Sequence, residues 1–414
     1  MSKFGIQYRD KSVKGLVEKK DTLNDHSNQH DKVREVLHKF QVGYTERNHE
    51  KIDEFMEEIF VNNEEMYAVG TATGELFIGF DQVKDLIISD WKYWGDVNIN
   101  WENARVHIKD NTAWFASTGT VKYIFEDTLE KFDRHLNILK SKAEETGLTA
   151  KQKITYMNWF LSLVYHRRED KKREYLWPMR LSGVMLKEGC SWKIINLKFS
   201  VPRSNFPDER FENSNEFWES YKKHNIMSKQ FNSNQMTSEL NELLKSLETK
   251  FIGQEYISKE LVSRYFSVDS ISYIIAPEDL WFDGMDGIKE FFADYADSIL
   301  SLDLEHAIAS NYGEAICVTV NGTLKRNLSE DKIAECALEE INNLFRGDIS
   351  PKEKLFATHR SIAYALRESA SGECFTCPIW LTAIVTKGLY GLAFQHIHFS
   401  FPFYWILEGK LDTI

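Results

Sequence analysis

Two strand-like segments, one near the end of each half of the chain, carry polar side chains that could do chemistry. The first offers Asn196, Lys198 and Ser200, and the second offers His396, His398 and Ser400. Because successive side chains of a strand point to opposite faces, each set of three shares one face of its sheet. Amide and ammonium groups can donate to a carbonyl or carboxylate, whereas imidazoles change charge near neutral pH. The spacing predicts a polar face that either lines a ligand cavity or borders solvent or a partner subunit.

Candidate acid–base and metal-ligating residues are also present, but none lies in a diagnostic motif. The candidates for a base in the first half are Asp90, Asp96, Glu102 and His107. Isomerisation or cyclisation without a cofactor needs such a base, together with donors for the developing oxyanion. Cys374 and Cys377 are expected in an extended strand, which does not place both sulfurs on one zinc ion. No glycine-rich phosphate-binding loop is found, so we expect no metal and no cofactor and leave catalysis open.

Tryptophan is concentrated in the first half of the chain. Seven of the eleven lie there: Trp91, Trp94, Trp101, Trp114, Trp159, Trp177 and Trp192. Aromatic walls with a few polar groups suit a flat or hydrophobic small molecule, although they also suit an ordinary core. The side chains that we expect to line ligand pockets are Trp91, Trp94, Trp114, Trp177, Asn196 and Lys198 in the first half, and His396 and His398 in the second.

The composition is that of an acidic protein with a full-size core. The chain has 414 residues, with 51 Lys and Arg against 63 Asp and Glu, and a net charge of −12. This balance disfavours nucleic-acid binding, since phosphates require a basic face. No apolar run approaches the ~18 residues of a membrane helix, and the N-terminus lacks the apolar part of a signal peptide. Five cysteines are too few for a disulfide framework. We expect a cytoplasmic protein that binds neither nucleic acid nor membrane.

Hydrophobic spacing predicts the elements that must position these residues. Apolar residues recur first at helical spacing and then with a period of two, which is typical of strands. The predicted elements of the first half are a helical pair in 31–60, a short strand at 66–69, a third helix after Gly79, a hairpin of 97–109 with 112–125, helices in 127–170, and a hairpin of 175–188 with 191–201.

The same order of elements returns after residue 238. The matching segments are WPMRLS at 177–182 with CPIWLT at 377–382, FSVP at 199–202 with FSFP at 399–402, GFDQVK at 79–84 with GMDGIK at 284–289, and TGTV at 118–121 with NGTL at 321–324. Self-similarity of this kind indicates a duplication. We therefore predict a polar extension at 1–30, a first unit at 31–206, a solvated Asn/Ser-rich linker at 207–237 and a second unit at 238–414.

Three segments of the first unit point to a family. They are GFDQV at 79–83, AWFA at 113–116 and WKIINLKFS at 192–200. With their counterparts, they resemble the SnoaL-like branch of the nuclear transport factor 2-like superfamily. Many of its members end on Trp-x-Ile-x-His-x-His-x-Ser; the first unit has Asn196 and Lys198 in the histidine positions, while the second keeps His396 and His398.

The resemblance implies an α+β fold of two cone-shaped units. Each would be a curved antiparallel sheet packed on helices, with helical insertions and a cavity between sheet and helices. It does not imply one activity, because such proteins include isomerases, polyketide cyclases, dehydratases and non-catalytic binding or dimerisation modules.

These observations favour a protein that binds a small apolar or aromatic ligand in the cavity of the first unit. Two alternatives stay open: a cofactor-independent isomerase, cyclase or dehydratase acting in the same cavity, and an assembly or dimerisation module with vestigial pockets. Sheet faces bearing Trp101, Phe399 or Phe401 would leave a large apolar patch in water. We therefore expect the two sheets to meet within the chain as an intramolecular pseudo-dimer.

Overall fold

Two α+β units follow one another along the chain and have the same order of elements. The computed structural model describes residues 23–72, 74–126, 129–164, 172–201, 215–231, 234–268, 271–277, 280–327, 329–348, 351–370 and 372–402. In these residues, no helix is both long and apolar enough to cross a membrane.

The first unit begins with helices, continues with strands and has a helical insertion before its last two strands. Its helices are α1 (Leu23–Glu46), α2 (Ile52–Ile59), α3 (Phe80–Tyr93), α4 (Leu129–Glu144) and α5 (Ala150–Val164), with short 3₁₀ turns at His49–Lys51 and Trp101–Asn103. Its strands are β1 (Tyr67–Val69), β2 (Leu76–Ile78), β3 (Asp96–Ile99), β4 (Arg105–Lys109), β5 (Thr112–Glu126), β6 (Lys172–Glu188) and β7 (Ser191–Ser200).

The second unit repeats this order after a connecting helix, α6 (Asn215–Lys229). Its helices are α7 (Ser238–Ser246), which continues into a π turn at Leu247–Phe251, α8 (Lys259–Tyr265), α9 (Gly284–Ala293), α10 (Glu330–Arg346) and α11 (Pro351–Ala370), with a 3₁₀ turn at Leu304–His306. Its strands are β8 (Tyr273–Ile275), β9 (Trp281–Asp283), β10 (Ser298–Leu302), β11 (Ile308–Asn311), β12 (Ile316–Asn327), β13 (Cys374–Gly388) and β14 (Gly391–Ser400).

The two sheets have the same topology. The strand order is β2-β1-β7-β6-β5-β3 in one and β9-β8-β14-β13-β12-β10 in the other, with β4 on β5 and β11 on β12. In both, the short first strand runs parallel to the last strand. The closing hairpins keep equivalent registers, since Ser182 pairs with Lys198 and Thr382 pairs with His398. The predictions of a duplicated α+β fold and of helical insertions are confirmed.

Local sequence explains where the elements begin and turn. The α2 helix buries Ile52, Met56 and Ile59, whose spacing places them on one helical face. The first hairpin turns at Asp110, with a φ of 53°, and the second at Gly189, with a φ of 61°; Gly, Asn and Asp tolerate such values best. The turn chemistry of the sequence therefore fixes both hairpins.

Three expectations about boundaries differ from the structure. The segment 97–109 forms two strands rather than one, because the turn at Trp101–Asn103 interrupts it. The α1 helix already begins at Leu23, inside the predicted extension. The predicted solvated linker contains α6, whose His224 is fully buried, and Phe231, which packs into the core of the first unit. The segment 207–237 is polar in composition, but a few of its side chains are buried by the rest of the fold.

The helices cover one face of each sheet, and odd-numbered residues at the end of each closing strand point towards them. Phe199 contacts Phe40 of α1 at a ring-centroid distance of 6.3 Å, and Phe399 stacks on Phe291 of α9 at 5.3 Å. Phe399 thus lies on the helix side and not on the opposite face, where we expected it. Trp101 is likewise covered by α1, with its ring 4.4 Å from that of His38.

Gly119 and Gly322 provide a matched test of the duplication. A Cβ atom at Gly119 would lie 2.6 Å from the carbonyl oxygen of Asn98, and one at Gly322 would lie 2.4 Å from that of Ser301. Because a backbone atom cannot move aside cheaply, we expect Gly119→Ala and Gly322→Ala each to lower the free energy of unfolding by about 1–3 kcal/mol in urea denaturation.

Gly147 is the control for these two substitutions, because a Cβ atom there would meet nothing within 4 Å. We expect Gly147→Ala to leave stability unchanged or slightly raised. Equal effects at all three positions would show that the close strand contacts are not what requires glycine.

Candidate functional site

On the helix side of the first sheet, a polar pair lies among aromatic rings. The Tyr44 hydroxyl donates to Asp90 Oδ2 at 2.8 Å and joins α1 to α3. Tyr44 is fully buried, and its ring lies 4.7 Å from Phe40 and 6.3 Å from Phe199. The Trp91 ring closes a further side at 6.4 Å. The hydroxyl is therefore surrounded by aromatic rings, and the carboxylate that it binds is partly exposed.

Burial dominates the electrostatics of this pair. It raises the pKa of Asp90 to about 7, although the hydrogen bond from Tyr44 and the positive charge of Arg47 both lower it. The Arg47 guanidinium does not bind the carboxylate in the hydrogen-bond network. It donates instead to the carbonyl oxygens of Tyr44 at 2.9 Å and Trp94 at 2.8 Å. Asp90 can therefore be present in either protonation state near neutral pH.

The second unit allows an internal comparison. The side chain of Gln41 accepts a hydrogen bond from the backbone of Ile99, and that of Glu248 accepts one from Leu302. Gln41 and Glu248 therefore occupy equivalent positions, and three residues further along, Phe251 corresponds to Tyr44.

The position of Asp90 follows from the start of the third helix of each unit. Gly79 and Gly284 both have positive φ there, 85° and 64°. Counting onward from them, Asp90 corresponds to Tyr295. Around Tyr295, aromatic rings fill the helix side of the second sheet. The contacts are Phe266 with Phe251, Phe251 with Phe292, Phe292 with Phe291, and Phe291 with both Tyr295 and Phe399. The Tyr–Asp pair is thus a feature of the first unit and has been replaced in the second.

The opposite faces of the two sheets contact each other through polar side chains. His398 of the second unit lies between two serines of the first, with Nδ1 at 2.8 Å from Ser182 Oγ and Nε2 at 2.7 Å from Ser200 Oγ. His398 is fully buried, and burial holds its pKa well below the ordinary value. The imidazole is therefore neutral, and one ring nitrogen donates while the other accepts.

A second contact between the sheets involves Cys317. Its thiol donates to Asn196 Oδ1 at 3.3 Å and accepts from the Tyr67 hydroxyl at 3.2 Å. Burial raises the pKa of the thiol to about 12, so it is neutral. Lys198, two residues from Asn196 on the same face, is also fully buried. Its Nζ lies 5.5 Å from the centroid of the Trp380 ring.

Stacked rings extend this layer towards one edge of the sheets. His396 stacks on Tyr273 at 4.6 Å, Tyr273 lies 6.1 Å from His107, and His107 stacks on Trp114 at 5.7 Å. At the rim, the Arg105 guanidinium forms an ion pair with Asp283. Aromatic and charged contacts therefore join the two units from the centre of the layer to its rim.

The residues that we expected to line ligand pockets lie in two separate places. Trp91 and Trp94 lie on the helix side of the first sheet, where Trp94 contacts Phe199 at 5.6 Å. The remaining residues with described side chains lie between the sheets: Trp114, Asn196, Lys198, His396 and His398. Trp177 is part of β6, but its side chain is outside the described part of the structure.

Among the acid–base candidates, Asp90 and His107 acquire special environments, and burial lowers the pKa of His107 to about 4. Asp96 and Glu102 are exposed, whereas His107 is stacked between aromatic rings. Cys374 and Cys377 both lie on β13, three residues apart, which directs them to opposite faces. In the described ranges, no group of three or more His, Cys, Asp and Glu residues is arranged to hold a metal ion.

Sequence reasoning did not select Tyr44, Cys317 or Ser182. Tyr44 has the helical spacing of an ordinary core residue, and Cys317 lies in an apolar strand. Ser182 alone had a usable signal, because the matching hairpins pair it with Lys198 across β6 and β7.

Comparisons with known proteins concern the fold. No protein-family model matches the sequence, and no curated protein matches it. A nuclear transport factor 2-like superfamily protein from Salmonella enterica is 11% identical, covers 46% of this chain and 99% of its own, and has a TM-score of 0.27. A nuclear transport factor 2-like protein of unknown function from Pseudomonas putida is 11% identical, with coverages of 44% and 91% and a TM-score of 0.27.

A third such protein of unknown function, from Shewanella oneidensis, is 10% identical, covers 41% of this chain and 97% of its own, and has a TM-score of 0.23. Each of the three structures spans less than half of this chain.

Proposed function

We propose that the protein binds a small, largely apolar molecule on the helix side of the first sheet, where Tyr44 and Asp90 hold its polar group. The observation that carries this proposal is the Tyr44–Asp90 hydrogen bond of 2.8 Å, in which the buried Tyr44 lies among aromatic rings and Asp90 is partly exposed. Ligand sites typically combine an apolar lining with a few fixed polar groups. Trp91 and Trp94 remain part of the proposed site.

The pair also supports a second candidate function, proton transfer on the bound molecule. With a pKa of about 7, Asp90 can accept or donate a proton near neutral pH, and the Tyr44 hydroxyl can donate to a developing oxyanion. This chemistry suits isomerisation, cyclisation or dehydration without a cofactor. It is the activity that we propose to assay for any molecule that binds.

For the architecture, we propose an intramolecular pseudo-dimer of two SnoaL-like units, with a domain boundary within 207–237. The His398 contacts with Ser182 and Ser200 and the Cys317 contact with Asn196 support the face-to-face arrangement. In this arrangement Asn196 and Lys198 lie between the sheets and not beside Tyr44 and Asp90, so we propose the site for the apolar molecule on the helix side.

Binding can be measured by intrinsic tryptophan fluorescence during titration with a panel of steroid-sized apolar ketones and phenols. Because Trp91 adjoins Tyr44, a ligand there should change the emission. For a compound that binds, we expect Tyr44→Phe and Asp90→Asn each to weaken affinity by about tenfold or more, since hydrogen bonds to charged groups contribute about 1.5–3 kcal/mol.

Two substitutions serve as controls. Tyr295→Phe alters the equivalent position of the second unit, and Trp114→Phe alters a ring between the sheets; we expect each to change affinity less than twofold. The proposal fails if no compound of the panel binds, or if the Tyr295 variant loses as much affinity as the Asp90 variant while both remain folded.

A further inference from the structure

Lys198 has a completely buried ammonium group, which is unusual for a lysine. Its side chain is fully enclosed between the two sheets, and Nζ has no hydrogen-bond partner among the described residues. Nζ lies over the face of Trp380, 5.5 Å from the ring centroid. A cation–π contact compensates only part of the hydration that a buried ammonium loses.

The groups that face Lys198 from the neighbouring strands supply no negative charge. His396 and His398 come from β14, and both are neutral because burial lowers their pKa values. Cys317 comes from β12, and its thiol is neutral as well. On β6, the charge near His398 is that of Arg180, which is positive. At the rim of the layer, Asp283 is already paired with Arg105.

Unused polar atoms lie in the same layer. Both ring nitrogens of His396 and the hydroxyl of Tyr273 are buried without a hydrogen-bond partner in the described part of the chain, and the two rings stack at 4.6 Å. His396 is close enough to Lys198 for the lysine charge to disfavour its protonation. Buried polar groups are nearly always satisfied by protein, water or ligand.

We propose that a small anion, a carboxylate or an inorganic anion, binds between the two sheets beside Lys198 and supplies its missing counter-charge. The ammonium group of Lys198 makes the principal contact, and the His396 ring and the Tyr273 hydroxyl are the available donors. Because residues of both units enclose this place, the bound anion stabilises their association. This anion site is separate from the proposed ligand site, which lies on the helix side of the first sheet. Either proposal can therefore be wrong without affecting the other.

The test uses the full chain at pH 6 and follows thermal unfolding against the concentration of chloride, acetate or phosphate. Ionic strength is held constant with a bulky sulfonate. We expect at least one of the three anions to raise the unfolding midpoint in a saturable manner, because a ligand that binds only the folded state stabilises it. Lys198→Met should weaken this binding at least tenfold.

Lys193→Met is the matched control, since Lys193 lies on the same strand but pairs with Glu188 at 3.4 Å; we expect its anion affinity to stay within twofold of the wild type. If Lys198→Met does not fold, crystals of the wild type soaked in bromide provide a second test, with an anomalous peak expected beside Lys198 Nζ. The proposal is wrong if none of the three anions changes the unfolding midpoint, or if Lys198→Met binds the anion with unchanged affinity. It is also wrong if the soaked crystals show only water, and no bromide, beside Lys198 Nζ.

Discussion

Replacing His398 with alanine is expected to lower the free energy of unfolding by about 3–5 kcal/mol, one of the largest effects of a single substitution in this protein. The imidazole bridges Ser182 and Ser200 across the two sheets. Its removal leaves two buried hydroxyls without a partner, at about 1–3 kcal/mol each, and also leaves a cavity. Urea denaturation followed by tryptophan fluorescence measures the change.

His396→Ala is the matched control for this substitution. His396 lies on the same face of β14 and is equally buried, but its ring nitrogens have no hydrogen-bond partner in the described residues. In a buffer whose anions are bulky, its loss should therefore cost only the cavity, and we expect the smaller effect. The double substitution Ser182→Ala with Ser200→Ala should make a further His398→Leu substitution much less damaging. Equal losses for the two histidine variants would show that the bridge contributes little.

Lys198→Met is expected to flatten the dependence of stability on pH between pH 7 and pH 9. Burial lowers the pKa of Lys198 from 10.5 to about 7 in the folded protein. Between these values the unfolded chain holds one more proton, so the stability of the wild type rises with pH, by at most about 1.4 kcal/mol per pH unit. Methionine removes this contribution and also the unfavourable burial of a charge near pH 7.

Cys317 limits the pH range over which stability rises. Its pKa is raised from 9.0 to about 12, so above pH 9 the folded state retains a proton that the unfolded state loses. This offsets the rise caused by Lys198, and we expect the stability curve to level off between pH 9 and about pH 10.5. The measurement is urea denaturation at several pH values in a buffer with bulky anions. Lys193→Met, with its partly exposed side chain, should keep the slope of the wild type. A wild-type slope that persists in Lys198→Met would mean that another group causes it.

The duplication and most of the elements follow from local sequence signals. The offset of 200 between the closing hairpins reappears in their registers, Ser182 with Lys198 and Thr382 with His398. Turn residues such as Gly189 fix the hairpins because few other residues adopt positive φ. The helix α6 was not predicted, because its polar composition gives no clear apolar period. Its His224 is buried by distant parts of the chain, which local sequence does not indicate.

The amino-acid sequence alone determined that Asn196 and Lys198 share one face of a strand and that Phe199 lies on the other, since this follows from the alternation of side chains. Only the tertiary structure decided what covers each face. Its contacts join residues far apart in the chain: Ser182 and His398 are separated by 216 positions and Tyr44 and Asp90 by 46. Periodicity is a property of neighbouring residues and contains no information about which distant element packs against them. The ligand-binding groups expected on the closing strand therefore became contacts between the sheets, while a tyrosine and an aspartate on two helices formed the candidate site.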